Sequence, residues 1–328
     1  MSKLILSTGN IVSDGPSIVR KPGSYRSNLE LTHSLRSNLL AAQQDAAVAI
    51  SNPSRNGHEN GNGNTNLSSS GNGTGTPLEN PPPLSLWTAQ EGDVLYIPKI
   101  DWNAGGLQEE PSRYEITVKL FFLAGPPVHE RAQYAKEALD LTLKELRVPS
   151  VDLLIVSYPG MSFDGDCEWA ADKKNAEQGN DEEEFATWAT AIEPLHRHGL
   201  VRQLGIAEYG SEKLSRLLQH AHIKPSVDQI NIRNCCNVPP PLAKLAKEQN
   251  IELLVHSDCT DILPKGTLRQ LLGQDPHGAR VLADADCPEG GLRGDLTPQW
   301  VVKYTAVVRD RGVIENKGYF ASAVLKQD

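Results

Sequence analysis

Long apolar runs are missing from this sequence. Nothing in its 328 residues approaches the roughly 18 consecutive apolar positions that a membrane-crossing helix requires. The opening MSKLILSTGN has too short an apolar core for a secretory signal, so the expectation is an intracellular, cytoplasmic chain. Positive charge is also scarce: 32 Lys and Arg face 41 Asp and Glu, for a net charge of −9. That balance repels phosphate backbones and anionic lipid and disfavours nucleic-acid and membrane-surface roles. Cysteine is sparse and badly spaced for metal. Cys167, Cys235, Cys236, Cys259 and Cys287 contain no CxxC pair, and an intracellular compartment disfavours structural disulfides. STGNIVSDG, after the first apolar run, lacks the GxGxxG of a Rossmann nucleotide-binding start.

What is present is a soluble composition, 39% hydrophobic and 22% charged, with one biased insertion. Residues 51–83 are Gly/Asn/Ser-rich and then Pro-rich; such a segment cannot offset its ordering entropy and is expected to be disordered. The 50 residues before it hold too little apolar surface to fold alone. Residues 1–50 therefore read as the first strand and helix region of one domain that resumes over 84–328. A second polar stretch, 164–184, reads as a long acidic loop whose last residues lead into a helix, where negative charge suits the N-terminus.

From Tyr114 onward short apolar runs alternate with helical patterns, the mark of parallel βα units. Strands are predicted at 115–122, 151–157, 202–208, 227–232 and 251–256. A helix over 184–198 stops at Gly199, and another over 211–222 takes Ser211 as its N-cap. A third opens through Pro240 and Pro241. A last one is predicted to start at Thr297 and Pro298, before a final strand pattern in GVIENKGYFASAV. Five successive strand–helix units favour an α/β fold of the (β/α)8 TIM-barrel type, with the second strand region unassigned and no final helix after the last strand.

Four stretches carry a resemblance: LTLKELRVPSVDLLIVSYPG, GLVRQLGIAEYGSEKLSRLL, KPSVDQINI and LAKEQNIELLVHSD. In order and spacing they resemble the fourth to seventh strand regions of the aldo-keto reductases. That family's chemistry, as the resemblance implies it, uses a Tyr acid, a Lys that lowers its pKa, a supporting Asp and a His. Lys119 matches the lysine, whereas Ser157 stands at the histidine position. No D-x-A-x-x-Y-G is found for the Asp and Tyr. On the cofactor side, Gln229 matches a nicotinamide-contacting residue and Lys317 a phosphate-contacting lysine. Ala207-Glu208 replaces the family's Ser-Asn, and Glu208 brings negative charge towards the ring. Lys119, Gln229 and Lys317 thus read as vestigial, with no NADPH binding expected.

Within that superfamily, LSTGN, VKLF, NCCNVPPPLAKLAKEQNIELLVHSD and YTAVVRDRGVIENKGYF are similar to the non-catalytic branch formed by glutamate–cysteine ligase regulatory subunits. That resemblance implies no catalysis and no cofactor, but a cytoplasmic heterodimer with the ligase catalytic subunit, improving its glutamate use and weakening feedback inhibition by glutathione. The alternative is a divergent NADPH-dependent reductase using Lys119 with an acid such as Tyr96. On the bland side, Lys119 and Gln229 are inert polar groups at the open end of a barrel. His196 and His198 simply favour a helix dipole, and the acidic run 181–184 is a solvated face. In NCCNVPPPL, Cys235 and Cys236 alternate faces of an extended segment. With Val238 and Leu242 they are the candidate partner interface or redox site, made stiff by the prolines.

Overall fold

The computed structural model describes residues 2–12, 26–51, 81–231, 237–284 and 290–326. Most of the 51–83 insertion, the Cys235–Cys236 pair and Cys287 lie outside the described residues. Ten strands form one mixed sheet: β1 (Ser2–Ser7), β2 (Ala89–Glu91), β3 (Val94–Ile97), β4 (Tyr114–Phe122), β5 (Val151–Ser157), β6 (Val201–Ala207), β7 (Val227–Ile230), β8 (Glu252–Val255), β9 (Asp295–Val308) and β10 (Val313–Lys326). Their order is β2-β3-β1-β10-β9-β4-β5-β6-β7-β8. Among the described residues no ladder joins β8 to β2. The helices are α1 (Ser27–Ser51), α2 (Leu84–Trp87), α3 (Arg131–Leu146), α4 (Glu168–Asn175), α5 (Asp181–Thr187), α6 (Glu193–Arg197), α7 (Ser211–His220), α8 (Pro240–Gln249) and α9 (Thr267–Leu272).

Strands β4 to β8 are the five predicted βα units, parallel and in sequential order. The expected helix at Thr297–Pro298 is instead β9, and with β10 it forms a long antiparallel hairpin between β1 and β4. That is where a sequential barrel would carry its second strand. The run TPQWVVKYTAVV is rich in β-branched and aromatic residues and buries both faces, which outweighs the helix-start signal. Pro298, which cannot donate to a ladder, sits beside the register shift that places Ser322 opposite Trp300 and Ala323 opposite Pro298.

Alternation along β4 divides the core. Tyr114, Ile116, Val118, Leu120 and Phe122 join Trp300, Val302 and Tyr304 of β9 beneath α3 and the helices that follow. On the opposite face, Leu31, Leu35 and Leu39 of α1 and Leu268, Leu271 and Leu272 of α9 cover the β1, β10 and β9 side. A small patch of Leu153, Ile155, Ala207 and Val227 continues that face onto β5, β6 and β7.

The 164–184 stretch, expected as a solvated acidic loop, contains α4 and is tied down by buried partners. Gly210, not Ser211, is the N-cap of α7, and a glycine has no side chain with which to cap. The capping acceptor comes from α4: Asp172 accepts from the Ser211 backbone N–H at 2.7 Å and from its hydroxyl at 2.5 Å. Asn175 accepts from the Gly210 N–H at 2.6 Å and donates to the Glu208 carbonyl at 2.8 Å. The acidic run has its cations within the chain. Lys213, fully buried, lies 2.7 Å from Asp181 and 2.9 Å from Glu184, and Arg216 adds a second contact to Asp181 at 2.5 Å. Together these hold the Asp181 carboxyl below its usual range despite its burial.

Candidate functional site

Lys119 points from β4 to the face opposite Phe122. Across its row stand Ile155 of β5 and Lys303 of β9. The lysine is 4% exposed. Its ammonium donates to Gln229 Oε1 at 2.7 Å and to Asp258 Oδ2 at 3.0 Å. Lys303 takes the other oxygen of Asp258 at 2.7 Å. His256, which with Asp258 follows β8, accepts at Nδ1 from the Asp258 N–H at 3.0 Å, and the same nitrogen is 3.5 Å from the lysine. That assigns the ring proton to Nε2, which lies 2.8 Å from Glu208 Oε1 without the alignment of a hydrogen bond. Glu208, just after β6, holds a left-handed φ of 63° and is itself buried.

Two lysines and two carboxylates, with a histidine and an amide among them, are therefore gathered in a cluster in which Lys119, Glu208 and Asp258 are buried and Lys303 is half-buried. The Asp258 carboxyl would rise on burial alone; Lys119 and Lys303 outweigh that and hold it far below the usual carboxylate range. For Lys119 the larger effect is burial, which lowers its ammonium and is only partly offset by Asp258. Ser157 is on the same face, opposite Phe121, and takes part in none of these bonds.

The groups expected to meet a dinucleotide have partners within the chain. The Gln229 amide oxygen that would meet a nicotinamide accepts from Lys119 instead. Lys317 lies within β10, not after a last strand, and pairs with Glu30 at the start of α1 at 2.7 Å. Glu30 also accepts from the Tyr319 hydroxyl at 2.6 Å, so that phenol on the site's face is already committed. Nor does the structure bring Tyr96 to Lys119. Strands β1, β10 and β9 intervene, and the row Tyr96, Ile5, Ser322, Trp300, Phe122 puts the phenol on the opposite face. Burial raises its pKa, with Glu91 and Glu137 adding to the effect, the reverse of what an activated acid needs.

Leu242, expected at a partner interface, is fully buried in the core beneath α8, and Val238 is half-buried against the same core. The reason is the helical period: the start of α8 turns Leu242 and Ala246 inward together. His196 bonds at 3.0 Å to the Val201 carbonyl. Missed by sequence reasoning were His256, Asp258 and Lys303 as members of the site. The signal was there in ELLVHSD, polar residues immediately after a parallel strand, where such folds place their chemistry.

Residues 103–316, more than half of the chain, match the aldo/keto reductase family, and the chain belongs to it. Its relatives divide by name. It is 28% identical to the putative glutamate–cysteine ligase regulatory subunit of Schizosaccharomyces pombe over 227 residues, 66% of this chain and 73% of that protein. It is 24% identical to the glutamate–cysteine ligase regulatory subunit of Homo sapiens over 215 residues, 66% of this chain and 68% of the relative. Deoxymugineic acid synthase 1 of Hordeum vulgare is 29% identical over 165 residues, 50% of this chain and 49% of that enzyme. No described helix is long and apolar enough to cross a membrane.

Proposed function

We propose that this chain is a regulatory subunit of glutamate–cysteine ligase: a non-catalytic protein that binds the ligase catalytic subunit as a cytoplasmic heterodimer and activates the first step of glutathione synthesis. The observation that carries the reading is similarity to proteins named as that subunit over 66% of the chain. The site supports it. Carbonyl reduction needs an acid, a cofactor and a reachable lysine together. Here the lysine is bonded to Gln229 and Asp258 with no described tyrosine hydroxyl among its partners, and Ser157 stands in place of the histidine. An activator, by contrast, needs only a higher affinity for the active conformation of its partner.

Two effects follow for the catalytic subunit: better use of glutamate and weaker inhibition by glutathione. Co-expression with a tagged catalytic subunit tests the association, and a stoichiometric complex on size exclusion is expected. A catalytic subunit that elutes alone at micromolar concentrations of both chains contradicts the proposal.

A further inference from the structure

A second set of buried polar groups faces open space far from the Lys119 network. A groove of about 890 Å³ lies between the C-terminal half of α1 and the 98–108 loop, a volume typical of small-molecule sites. Gly105 and Gly106 line it, flanked by Glu145 near the end of α3 and Asn316 of β10. Both flanking residues are 7% exposed. No hydrogen bond or ion pair from the described residues reaches the Glu145 carboxylate. Arg147, two positions on, packs against Gly106 and donates to the Trp102 carbonyl at 2.7 Å, without bonding the Glu145 carboxylate. Asn316 gives its Nδ2 to the Gly106 carbonyl at 3.5 Å, while its Oδ1 has no donor. An unmet buried acceptor costs ~1–3 kcal/mol, and Asn316 Oδ1, in a groove also lined by the unpaired Glu145 carboxylate, calls for a donor from outside the chain.

The groove is built rather than incidental. Lys144 lies 3.9 Å above the Trp102 ring, pinning the loop to α3. A Cβ on Gly105 would stand 2.8 Å from the Glu145 carbonyl oxygen, and Gly106 has a φ of +107°, so glycine is what lets the loop come this near. The charge is one-sided: Asp45, Asp101, Glu145 and Glu315 line the groove against Lys99 alone. The Lys99 ammonium is itself 3.3 Å from the Leu86 carbonyl. Ala42, Ala49, Ile50 and Leu86 add apolar lining on the α1 and α2 side, where Asp45 also sits. Acidic groups set among hydrocarbon match an organic cation, and among the described residues no three His, Cys, Asp or Glu side chains converge as metal ligands.

We propose that this groove binds a small organic monocation, a primary amine with a short apolar body, its ammonium donating to Glu145 and to Asn316 Oδ1. The hydrocarbon lies against the alanine, isoleucine and leucine wall of α1 and α2. Burial raises the Glu145 carboxyl above its usual range, with Arg147 only partly opposing. A bound ammonium supplies the counter-charge that the chain withholds. The site goes beyond the regulatory reading and is tested without the catalytic subunit, so either can fail alone.

The test is calorimetric titration of the full chain with n-hexylammonium, using n-hexanol and hexanoate as neutral and anionic counterparts. Saturable one-to-one binding of the ammonium is expected, at least tenfold tighter than either counterpart. Glu145→Gln, which keeps shape and removes charge, should weaken it at least tenfold. Asp45→Lys, at an exposed position on the groove wall, should weaken it threefold or more. Absence of saturable binding, equal affinity for all three probes, or full affinity in a folded Glu145→Gln chain overturns the site. If Glu145→Gln does not fold, unchanged affinity in Asp45→Lys overturns it on its own.

Discussion

Lys119 and Asp258 stand 3.0 Å apart with side chains only 5% and 9% exposed, and the second oxygen of the same carboxylate is 2.7 Å from Lys303. The lysine that aligns with a reductase's catalytic group is thus half of an internal ion pair. Charge pairs this dry are weak evidence of net stability while intact, and costly to break from one side.

Asp258→Asn removes one partner and leaves two ammonium groups facing an amide. The expected loss at pH 7 is ~3–5 kcal/mol in urea unfolding. Because the folded carboxyl titrates below the unfolded value of about 3.9, its contribution is present above that pH and fades as pH falls towards the folded pKa. The gap between wild type and variant should therefore be constant near neutrality and narrow below about pH 4. A gap that does not change with acid would contradict the ion-pair assignment.

With Gln229 and Lys317 both engaged inside the chain, NADPH should find no seat. Its fluorescence is expected to stay unsaturable on titration, with no aldehyde-dependent oxidation. Saturable binding with turnover, lost in Lys119→Met, would restore the reductase reading.

Lys213→Met should leave Asp181 and Glu184 without their shared buried cation. The expected cost is ~3–5 kcal/mol. Hydrogen exchange should show the opening concentrated over α4 and α5, with β4 and β5 still protected. Exchange spread evenly through the sheet would mean that the acidic segment is not an independent closure.

Leu242→Ala is expected to cost ~2–5 kcal/mol through the cavity it leaves in the core. Thermal unfolding checks this, and unchanged stability would mean that the start of α8 does not pack as described. Partner-surface mapping belongs at exposed positions of α8 such as Lys244 and Glu248, which carry only a solvent-side pair 3.9 Å long.

The strands β4 to β8 were legible because each is a short apolar run between helical periods, with most of β5 and β6 buried. Thr297-Pro298 misled because a local start signal was read without the alternation of Trp300, Val302 and Tyr304 behind it. Lys119 and Gln229 were found through the family resemblance, and they do meet. Asp258, His256 and Lys303 were not, since only the sheet order brings the end of β8 and the C-terminal hairpin to one lysine. The partners of 181–184 escaped for the same reason: Lys213 and Arg216 reach them only once α7 folds back.

The account is tested most directly by steady-state rates of the ligase catalytic subunit with and without a stoichiometric amount of this chain, varying glutamate and glutathione. It predicts a lower KM for glutamate and a higher glutathione concentration for half-inhibition in the complex. Rates identical in both respects, measured on a complex shown to be intact, would contradict it.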